Sequence, residues 1–424
     1  MFRSLPLLAA AVATAAALPA APADAPAASP ITWKKTVLDT KFRSEGVAVA
    51  DVNKDGKADV LVGDFWYEAP DWKRHATQKS DKPDGFDPNG YSKVFACWAD
   101  DLNADGFPDL VVVGFPGEPA YWLENPKGKT AGDADKPLHW AKHVIWPSAC
   151  NETPVYADLL GTGKKVLVMG AQPPGKGNEG QMAYFTPNPA DPTAMWAMHP
   201  VSVPSTPAEV KDGKEVPGTR KEIPGTQRFS HGLGVGDVNG DKRADVICTG
   251  GWWEQPAAAD GKTPWAFHPA PLGPESADLF AYDLDGNGKA AVVGSSAHGY
   301  GIWAHRRRGE GFEKVDLFPK LVSQTHAMHC VDINGDGLRD LVTGKRWWAH
   351  GPKGDADPAA PAKVYWFEAK QGADGVVTFA PHEIDDDSGI GTQFAVADVN
   401  GDGKPDVVTS NKKGVRVLVQ GGKK

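Results

Sequence analysis

Short apolar runs and Asp-rich turns alternate along this chain in a repeating order. In the first unit, the apolar run Gly46–Ala50 precedes the motif Asp51-Val-Asn-Lys-Asp-Gly-Lys-Ala-Asp59, and the β-branched run Val60-Leu-Val62 follows it. The aromatic segment Phe65-Trp-Tyr67 comes next, and a fourth segment opens with Trp72 and has His75 three residues later. Short apolar and aromatic runs bounded by turn residues are typical of β-strands. The pattern therefore predicts four strands in each unit.

The Asp motif recurs seven times, with leading aspartates 46 to 79 residues apart. Five copies keep oxygen-bearing side chains at positions 1, 3, 5 and 9: Asp51, Asn53, Asp55 and Asp59; Asp101, Asn103, Asp105 and Asp109; Asp237, Asn239, Asp241 and Asp245; Asp332, Asn334, Asp336 and Asp340; Asp398, Asn400, Asp402 and Asp406. The copies that begin at Asp158 and Asp283 are degenerate. Repeated four-stranded units predict an all-β fold, a seven-bladed β-propeller with four-stranded blades.

The two ends of the chain complement each other in this pattern. The last unit, from Asp398, ends after three strands, whereas Trp33-Lys-Lys-Thr-Val-Leu38 near the N-terminus is a strand-like segment without a unit of its own. Pairing these ends would remove two open sheet edges. We therefore expect the N-terminal strand to close the C-terminal blade.

Residues 1–25 have the features of a secretory signal peptide. Arg3 precedes an apolar run, and Ala21, Ala23 and Ala25 offer small-residue cleavage sites. We expect a secreted or periplasmic protein whose mature part, 26–424, is one propeller domain without membrane insertion; a retained anchor is the alternative.

The net charge of −9 and the lack of a basic cluster argue against a nucleic-acid partner. The four scattered cysteines favour buried thiols, with a disulfide as the alternative.

The oxygen-bearing side chains of the Asp motif indicate calcium. Hard oxygen ligands around one tight turn, with Gly at position 6, suit Ca²⁺. An EF-hand is excluded because position 12 is Val62, Val112, Thr343 or Thr409 rather than Glu, and the flanks read as strands. Plain Asx turns without metal are the alternative. We expect several structural Ca²⁺ sites.

These motifs, D-x-N-x-D-G-x-x-D in the best copies, resemble the FG-GAP/VCBS repeats of β-propellers, and they extend over nearly the whole mature chain. The resemblance implies that calcium is structural and lies on the face opposite the ligand site. One fold hosts many activities, so function has to be argued from that other face.

The register of the repeats points to a second group of residues. Six positions before each leading Asp are Glu45, Phe95, Glu152, His231, Ala277, His326 and Thr392. These positions begin the inner strands, so we expect the two Glu and two His to converge at the mouth of the central channel. Such a set binds a transition metal or Mg²⁺, or performs acid–base chemistry. A hydrogen-bonded plug without chemistry is the alternative. His329, Lys345 and Arg346 are further catalytic candidates near this mouth.

Aromatic and polar residues are also predicted on this face, together with the long segments 78–92, 202–226 and 349–363. Aromatic rings stack on the C–H faces of sugars, and hydroxyls need both donors and acceptors. We therefore expect a carbohydrate small molecule or glycan as partner. The candidate substrate-binding residues are Trp66, Trp252, Trp253, Trp347, His298, His350 and Gln393.

Three short segments, Ser230-His231-Gly232, Gly251-Trp252-Trp253-Glu254 and Thr325-His326-Ala-Met-His329, are similar to the propeller part of the aldos-2-ulose dehydratases. Those enzymes eliminate water from keto-sugars. The similarity implies a metal at His231, His326 and Glu152 that polarises a sugar carbonyl, with His329 or Glu45 removing the neighbouring proton. It favours an exported, calcium-binding carbon–oxygen lyase; a non-catalytic glycan- or protein-binding propeller is the alternative.

Overall fold

The structure is a computed structural model that describes residues 29–130, 138–174, 179–273 and 276–423. The predicted signal peptide, 1–25, lies outside this range. Within the described residues the secondary structure consists of thirty β-strands and no helix, which confirms the predicted all-β fold. Within the described ranges there is no helix of the length and apolarity that a membrane span requires.

The strands form seven four-stranded antiparallel sheets, which are the blades of a propeller. After β1 (Ile31–Asp39), blade 1 contains β2 (Ala48–Ala50), β3 (Asp59–Leu61), β4 (Phe65–Glu68) and β5 (Lys73–Ala76); blade 2 contains β6 (Ala96–Asp100), β7 (Asp109–Val113), β8 (Ala120–Glu124) and β9 (Ala141–Trp146); blade 3 contains β10 (Val155–Ala157), β11 (Val166–Ala171), β12 (Gln181–Thr186) and β13 (Ala197–Pro200). The small hairpin of β14 (Val210–Lys211) and β15 (Lys214–Glu215) lies within the segment 202–226.

The remaining blades follow the same order. Blade 4 contains β16 (Leu233–Gly236), β17 (Asp245–Cys248), β18 (Gly251–Glu254) and β19 (Ala266–Pro269); blade 5 contains β20 (Phe280–Tyr282), β21 (Ala291–Ser295), β22 (Tyr300–Arg308) and β23 (Gly311–Ser323); blade 6 contains β24 (Met328–Val331), β25 (Asp340–Gly344), β26 (Val364–Gln371) and β27 (Val377–Asp385); blade 7 contains β28 (Ala395–Ala397), β29 (Asp406–Asn411) and β30 (Gly414–Lys423).

Blade 7 is completed by the N-terminal strand. Strand β1 pairs antiparallel with β30, with Thr36 opposite Val417, so the order in this sheet is β28-β29-β30-β1. This confirms the predicted closure. Because both ends of the chain share one sheet, opening the ring requires breaking that strand pairing.

The Asp at position 9 of each complete loop ties its blade together. Asp59 is fully buried; its Oδ2 accepts the N–H of Val52 at 2.9 Å and its Oδ1 accepts the N–H of Ala69 at 2.8 Å. The same pair of bonds recurs at Asp109, Asp245, Asp340 and Asp406. This aspartate therefore joins the first loop of a blade to the end of its third strand.

The Asp at position 1 shapes the turn itself. In all seven described loops it accepts the N–H groups of positions 5 and 6, including the degenerate copies at Asp158 and Asp283. The side-chain oxygens of Asp51 and Asn53 both accept the N–H of Asp55, at 3.0 and 3.1 Å, so they converge. Such oxygens keep lone pairs that fit a hard cation. Calcium binding itself stays a prediction.

The aromatic strands pack within the blades. Trp66 is 1 % exposed and stacks on His75, with ring centroids 4.5 Å apart, and Nε2 of His75 lies 2.7 Å from Glu68. The Trp–His stack with its Glu recurs as Trp122, His143 and Glu124; Trp252, His268 and Glu254; and Trp366, His382 and Glu368. The His of the fourth strand therefore packs on the Trp of the third strand in the same blade. All four cysteines are free thiols.

Candidate functional site

Residues that precede the inner strands meet at one mouth of the channel. Glu45, Glu152, His231 and His326 come a few residues before β2, β10, β16 and β24, on four different blades. The backbone fixes two of them, because the N–H of Glu152 donates to the carbonyl of Ser230 at 3.0 Å, and Ser230 directly precedes His231. Positions set by strand register therefore bring side chains from distant parts of the chain together.

Three of these side chains converge within 3.5 Å. Nε2 of His231 lies 2.9 Å from Nε2 of His326, and Oε2 of Glu152 lies 3.5 Å from the former and 3.2 Å from the latter. Metal–ligand distances of about 2.1 Å place neighbouring ligands about 3.0–3.4 Å apart in octahedral or tetrahedral geometry. The triangle therefore has the size of one face of a metal coordination shell.

The three contacts of this triangle cannot all be hydrogen bonds, because each Nε2 carries at most one proton and the ionised carboxylate carries none. A neutral imidazole donates from one ring nitrogen only, and an ionised carboxylate donates none. The two Nε2 atoms face each other and the carboxylate, while Nδ1 of buried His326 has no hydrogen-bond partner among the described residues. When both Nε2 atoms donate to Glu152 or both present lone pairs, they face each other at 2.9 Å with like partial charges, which a cation between the ligands would relieve. Two imidazoles and a carboxylate are ligands that Zn²⁺ and similar ions accept.

The ionisation states at the triangle suit ligands. Burial alone would raise the pKa of Glu152, but the hydrogen bonds of His231 and His326 and the charge of Arg346 bring that pKa well below its ordinary range. Burial, aided by the charge of Arg346, holds the pKa of His326 well below its usual value. At neutral pH the carboxylate is therefore charged and the imidazole of His326 is neutral.

Arg346 lies between the two glutamates. Its Nη2 donates to Oε1 of Glu45 at 2.8 Å, and its Nη1 lies 3.5 Å from Oε2 of Glu152. Arg346 is 2 % exposed and Glu45 1 % exposed. Glu45 and Arg346 are both predicted catalytic residues. In the structure the carboxylate of Glu45 forms an ion pair with Arg346, and Arg346 holds the carboxylates of Glu45 and Glu152 in place.

A second cluster adjoins the triangle. Nδ1 of His350 lies 2.7 Å from Oδ2 of Asp355, and Nδ1 of His298 lies 3.4 Å from Oδ1 of the same carboxylate. The rings of His298 and His231 have centroids 4.9 Å apart. Burial would raise the pKa of Asp355, but the neighbouring imidazoles of His298 and His350 bring it below the usual range. His298 thus links the two clusters.

Two amines border the mouth. Nζ of Lys345 donates to Oγ of Ser323 at 2.6 Å, and Nζ of Lys412 donates to the carbonyl of Ala349 at 2.8 Å. Burial lowers the pKa of each lysine to about 8. These groups therefore change charge close to neutral pH. The ring of Tyr91 lies beside the second of these amines, with its centroid 5.1 Å from Nζ of Lys412.

Other predicted site residues lie elsewhere. His329 and Gln393 line a cavity of about 250 Å³ inside the channel, and Nε2 of His329 lies 2.8 Å from the carbonyl of Phe394. Trp66, Trp252 and Trp253, at most 5 % exposed, pack inside the sheets. Trp347 is half-buried on the same loop as Arg346, with Nζ of Lys413 4.4 Å from its ring centroid.

A groove runs beside the mouth between blades 1 and 2. Its cavity is about 530 Å³, a size typical of small-molecule sites. Aromatic rings of Phe86, Tyr91 and Phe115 and the charged groups of Lys93 and Glu118 line it. Tyr91 also lies 6.3 Å from the ring of His350, so the groove continues into the mouth.

Sequence reasoning missed three residues of this site: Tyr91, Asp355 and Lys412. Tyr91 and Asp355 belong to the long segments 78–92 and 349–363. The sequence predicts these segments on this face, but it does not single out these two side chains. Lys412 lies in the turn between β29 and β30, the counterpart of the loop with Lys345, so the repeat register would have found it.

Comparison with known proteins gave one family match and several solved structures of low similarity. Residues 390–419 match the FG-GAP repeat. A search of curated protein sequences found no match. Among solved structures, the chain is similar to the biofilm matrix protein Bap1 of V. cholerae, with 14% identity and a TM-score of 0.30 over 71% of this chain and 40% of that chain. This chain therefore corresponds to less than half of Bap1.

Two further solved structures are similar over most of both chains. The PQQ-bound aldose sugar dehydrogenase of Streptomyces coelicolor is 13% identical, with a TM-score of 0.32 over 78% of this chain and 96% of that chain. The Dos1 propeller is 12% identical, with a TM-score of 0.42 over 93% and 96%. None of these matches shows the similarity to aldos-2-ulose dehydratases, which stays a hypothesis. The chain is a seven-bladed β-propeller with an FG-GAP repeat in its last blade.

Proposed function

We propose that this protein is a metal-dependent carbohydrate lyase that eliminates water from an oxidised, keto-type sugar at the channel mouth. The observation that carries the proposal is the triangle of His231, His326 and Glu152, whose ligand atoms lie 2.9–3.5 Å apart. A bound ion there would act as a Lewis acid that polarises a carbonyl oxygen.

The residues around the triangle supply the other requirements of an elimination. Arg346 holds the carboxylates of Glu45 and Glu152 in fixed positions. A carbonyl group acidifies the neighbouring C–H; loss of that proton to a base and of a β-hydroxyl as water leaves an enone. Lys345 and Lys412, whose pKa values burial lowers to about 8, are our candidates for moving these protons.

The groove beside the mouth supports the proposal of a carbohydrate ligand. Its aromatic rings offer surfaces for sugar C–H groups, and Lys93 and Glu118 offer a donor and an acceptor for hydroxyls. The same groove would serve the alternative function, non-catalytic glycan binding. The two functions differ in whether a bound sugar is chemically changed.

We further propose that the Asp loops bind structural Ca²⁺ and that residues 1–25 direct export. The converging oxygens of positions 1 and 3 and the Gly at position 6 support the first of these. Residues of the calcium loops would then stabilise the blades, while the opposite mouth carries the chemistry.

The test is a screen of keto-sugars for an absorbing enone product. Activity should appear with the wild type, fall by at least about 100-fold in His326→Gln and Glu152→Gln, and remain in His139→Gln, which changes an exposed histidine outside the site. Sugar binding by calorimetry without product from any keto-sugar would favour the non-catalytic alternative.

A further inference from the structure

A second group of metal-ligating side chains lies next to the triangle and is not used by the proposed chemistry. Ligand atoms of His298, His350 and Asp355 all lie within 4.8 Å of one another. Those of His231, His298 and His326 also lie within 4.8 Å of one another, so His298 belongs to both groups. The mouth therefore offers two neighbouring positions for a cation.

We propose that His298, His350 and Asp355 bind a second divalent transition metal ion, which makes the mouth a two-metal centre. The inference deepens the proposed function and rests on it for the chemical purpose of the site. The second ion has its own ligands, however, and is testable without the first. Two imidazoles and one carboxylate suit Zn²⁺, Co²⁺ or Mn²⁺ and leave coordination positions open for substrate.

The ligands already face each other without help from an ion. His298 and His350 both direct Nδ1 at the carboxylate of Asp355, at 3.4 Å and 2.7 Å. Nδ1 of His298 is buried, and its contact with Asp355 does not meet hydrogen-bond geometry. A metal ion would satisfy this nitrogen, which makes no hydrogen bond within the described residues.

The backbone holds this cluster in place across two blades. The N–H of Ala356 donates to the carbonyl of His298 at 3.0 Å, directly beside Asp355. The carbonyl of Ala356 in turn accepts from Nε2 of Gln324 at 2.7 Å. The segment 349–363 is therefore fastened to the preceding blade at the position that presents the carboxylate. Preorganised ligands of this kind lower the cost of ordering a metal site.

Each of the two positions also has a carboxylate of its own. Glu152 gives one negative charge to the first position and Asp355 gives one to the second. Pairs of divalent ions bound in this way act together in many hydrolytic and phosphoryl-transfer enzymes, where they clamp two oxygens of one substrate. Here the second ion would bind a second oxygen of the sugar, such as the hydroxyl next to its carbonyl.

The experiment is a titration of chelator-stripped, full-length protein with Zn²⁺ and with Co²⁺ in excess Ca²⁺, which occupies oxygen-only sites. The wild type and the control His139→Ala should bind two equivalents. Asp355→Asn and His350→Ala should each bind one, with affinity at the second site reduced at least about 100-fold, since even the loss of an outer-shell partner costs 10- to 100-fold. His350 is exposed, so its variant should fold.

The outcomes separate the two sites. One equivalent in the wild type that is lost in His326→Ala but kept in Asp355→Asn would overturn the second site and leave the proposed function intact. One equivalent lost in Asp355→Asn but kept in His326→Ala would support the second site and contradict the metal of the proposed function. The visible spectrum of bound Co²⁺, which reports the ligand set, should change in Asp355→Asn; an unchanged spectrum would also overturn the proposal.

Discussion

Replacing Arg346 by methionine should destabilise the folded protein strongly. The change removes the guanidinium 2.8 Å from Glu45 and 3.5 Å from Glu152 and leaves the buried carboxylate of Glu45 without its ion-pair partner. Breaking a buried ion pair from one side costs about 3–5 kcal/mol. For a chain of this length an unfolding entropy of about 0.8 kcal/mol/K follows from per-residue averages, so the melting temperature should fall by about 5 °C.

The assay is urea denaturation followed by tryptophan fluorescence. Arg308→Met is the matched control, because Arg308 pairs with Glu313 on the surface with both side chains more than half exposed, and it should lose less than about 1 kcal/mol. Adding Glu45→Gln to Arg346→Met should recover part of the loss, since it removes the stranded charge. A loss below about 1 kcal/mol in Arg346→Met would refute the view that this arginine supports the site electrostatically.

Three further perturbations test the fold. Burial lowers the pKa of His305 to about 4 from its ordinary 6.5, so the unfolded chain binds more protons between these values and stability falls as pH drops. By pH 4.5 the unfolding free energy should fall by about 2–3 kcal/mol, and His305→Gln should avoid this loss in urea titrations. Lys242 occupies position 6 of its Asp loop with φ 70°, so Lys242→Gly should raise the unfolding free energy by about 1 kcal/mol, and a decrease would contradict this. A chain that begins at residue 41 lacks β1 and exposes the edge of β30; it should melt lower and aggregate on gel filtration, and unchanged behaviour would contradict closure of the ring by β1.

The sequence was sufficient for the fold because the repeat is local. Each Asp loop marks the same point in its blade. The two aspartates at positions 1 and 9 make the same backbone hydrogen bonds wherever the complete motif occurs. The last unit lacks one strand, and the segment near Trp33 belongs to no unit. Pairing these two parts of the chain is therefore the arrangement that completes every blade. The register of the loops also located Glu152, His231 and His326 correctly relative to one another, because short inner strands of similar length keep these positions level.

The remaining details depend on contacts that a repeat does not encode. Strand alternation places Trp252 and Trp253 on opposite faces of one sheet, and both are covered by neighbouring blades rather than open to a ligand. The location of Asp355 depends on how the segment 349–363 folds back, which the backbone bond from Ala356 to His298 decides. The sequence predicts Arg346 near the mouth from the loop on which it lies, but its position between Glu45 and Glu152 follows from the packing of three blades.

The most direct test of the account is the metal content of the mouth. Full-length protein, purified without chelators and dialysed against metal-free buffer containing Ca²⁺, is analysed by mass spectrometry for Zn, Mn, Fe and Co. The account predicts at least one equivalent of such a metal in the wild type and in His139→Ala, and one equivalent less in His326→Ala and in Glu152→Gln. Equal, negligible transition-metal content in all four proteins, with no uptake of added Zn²⁺, would contradict the metal site of His231, His326 and Glu152.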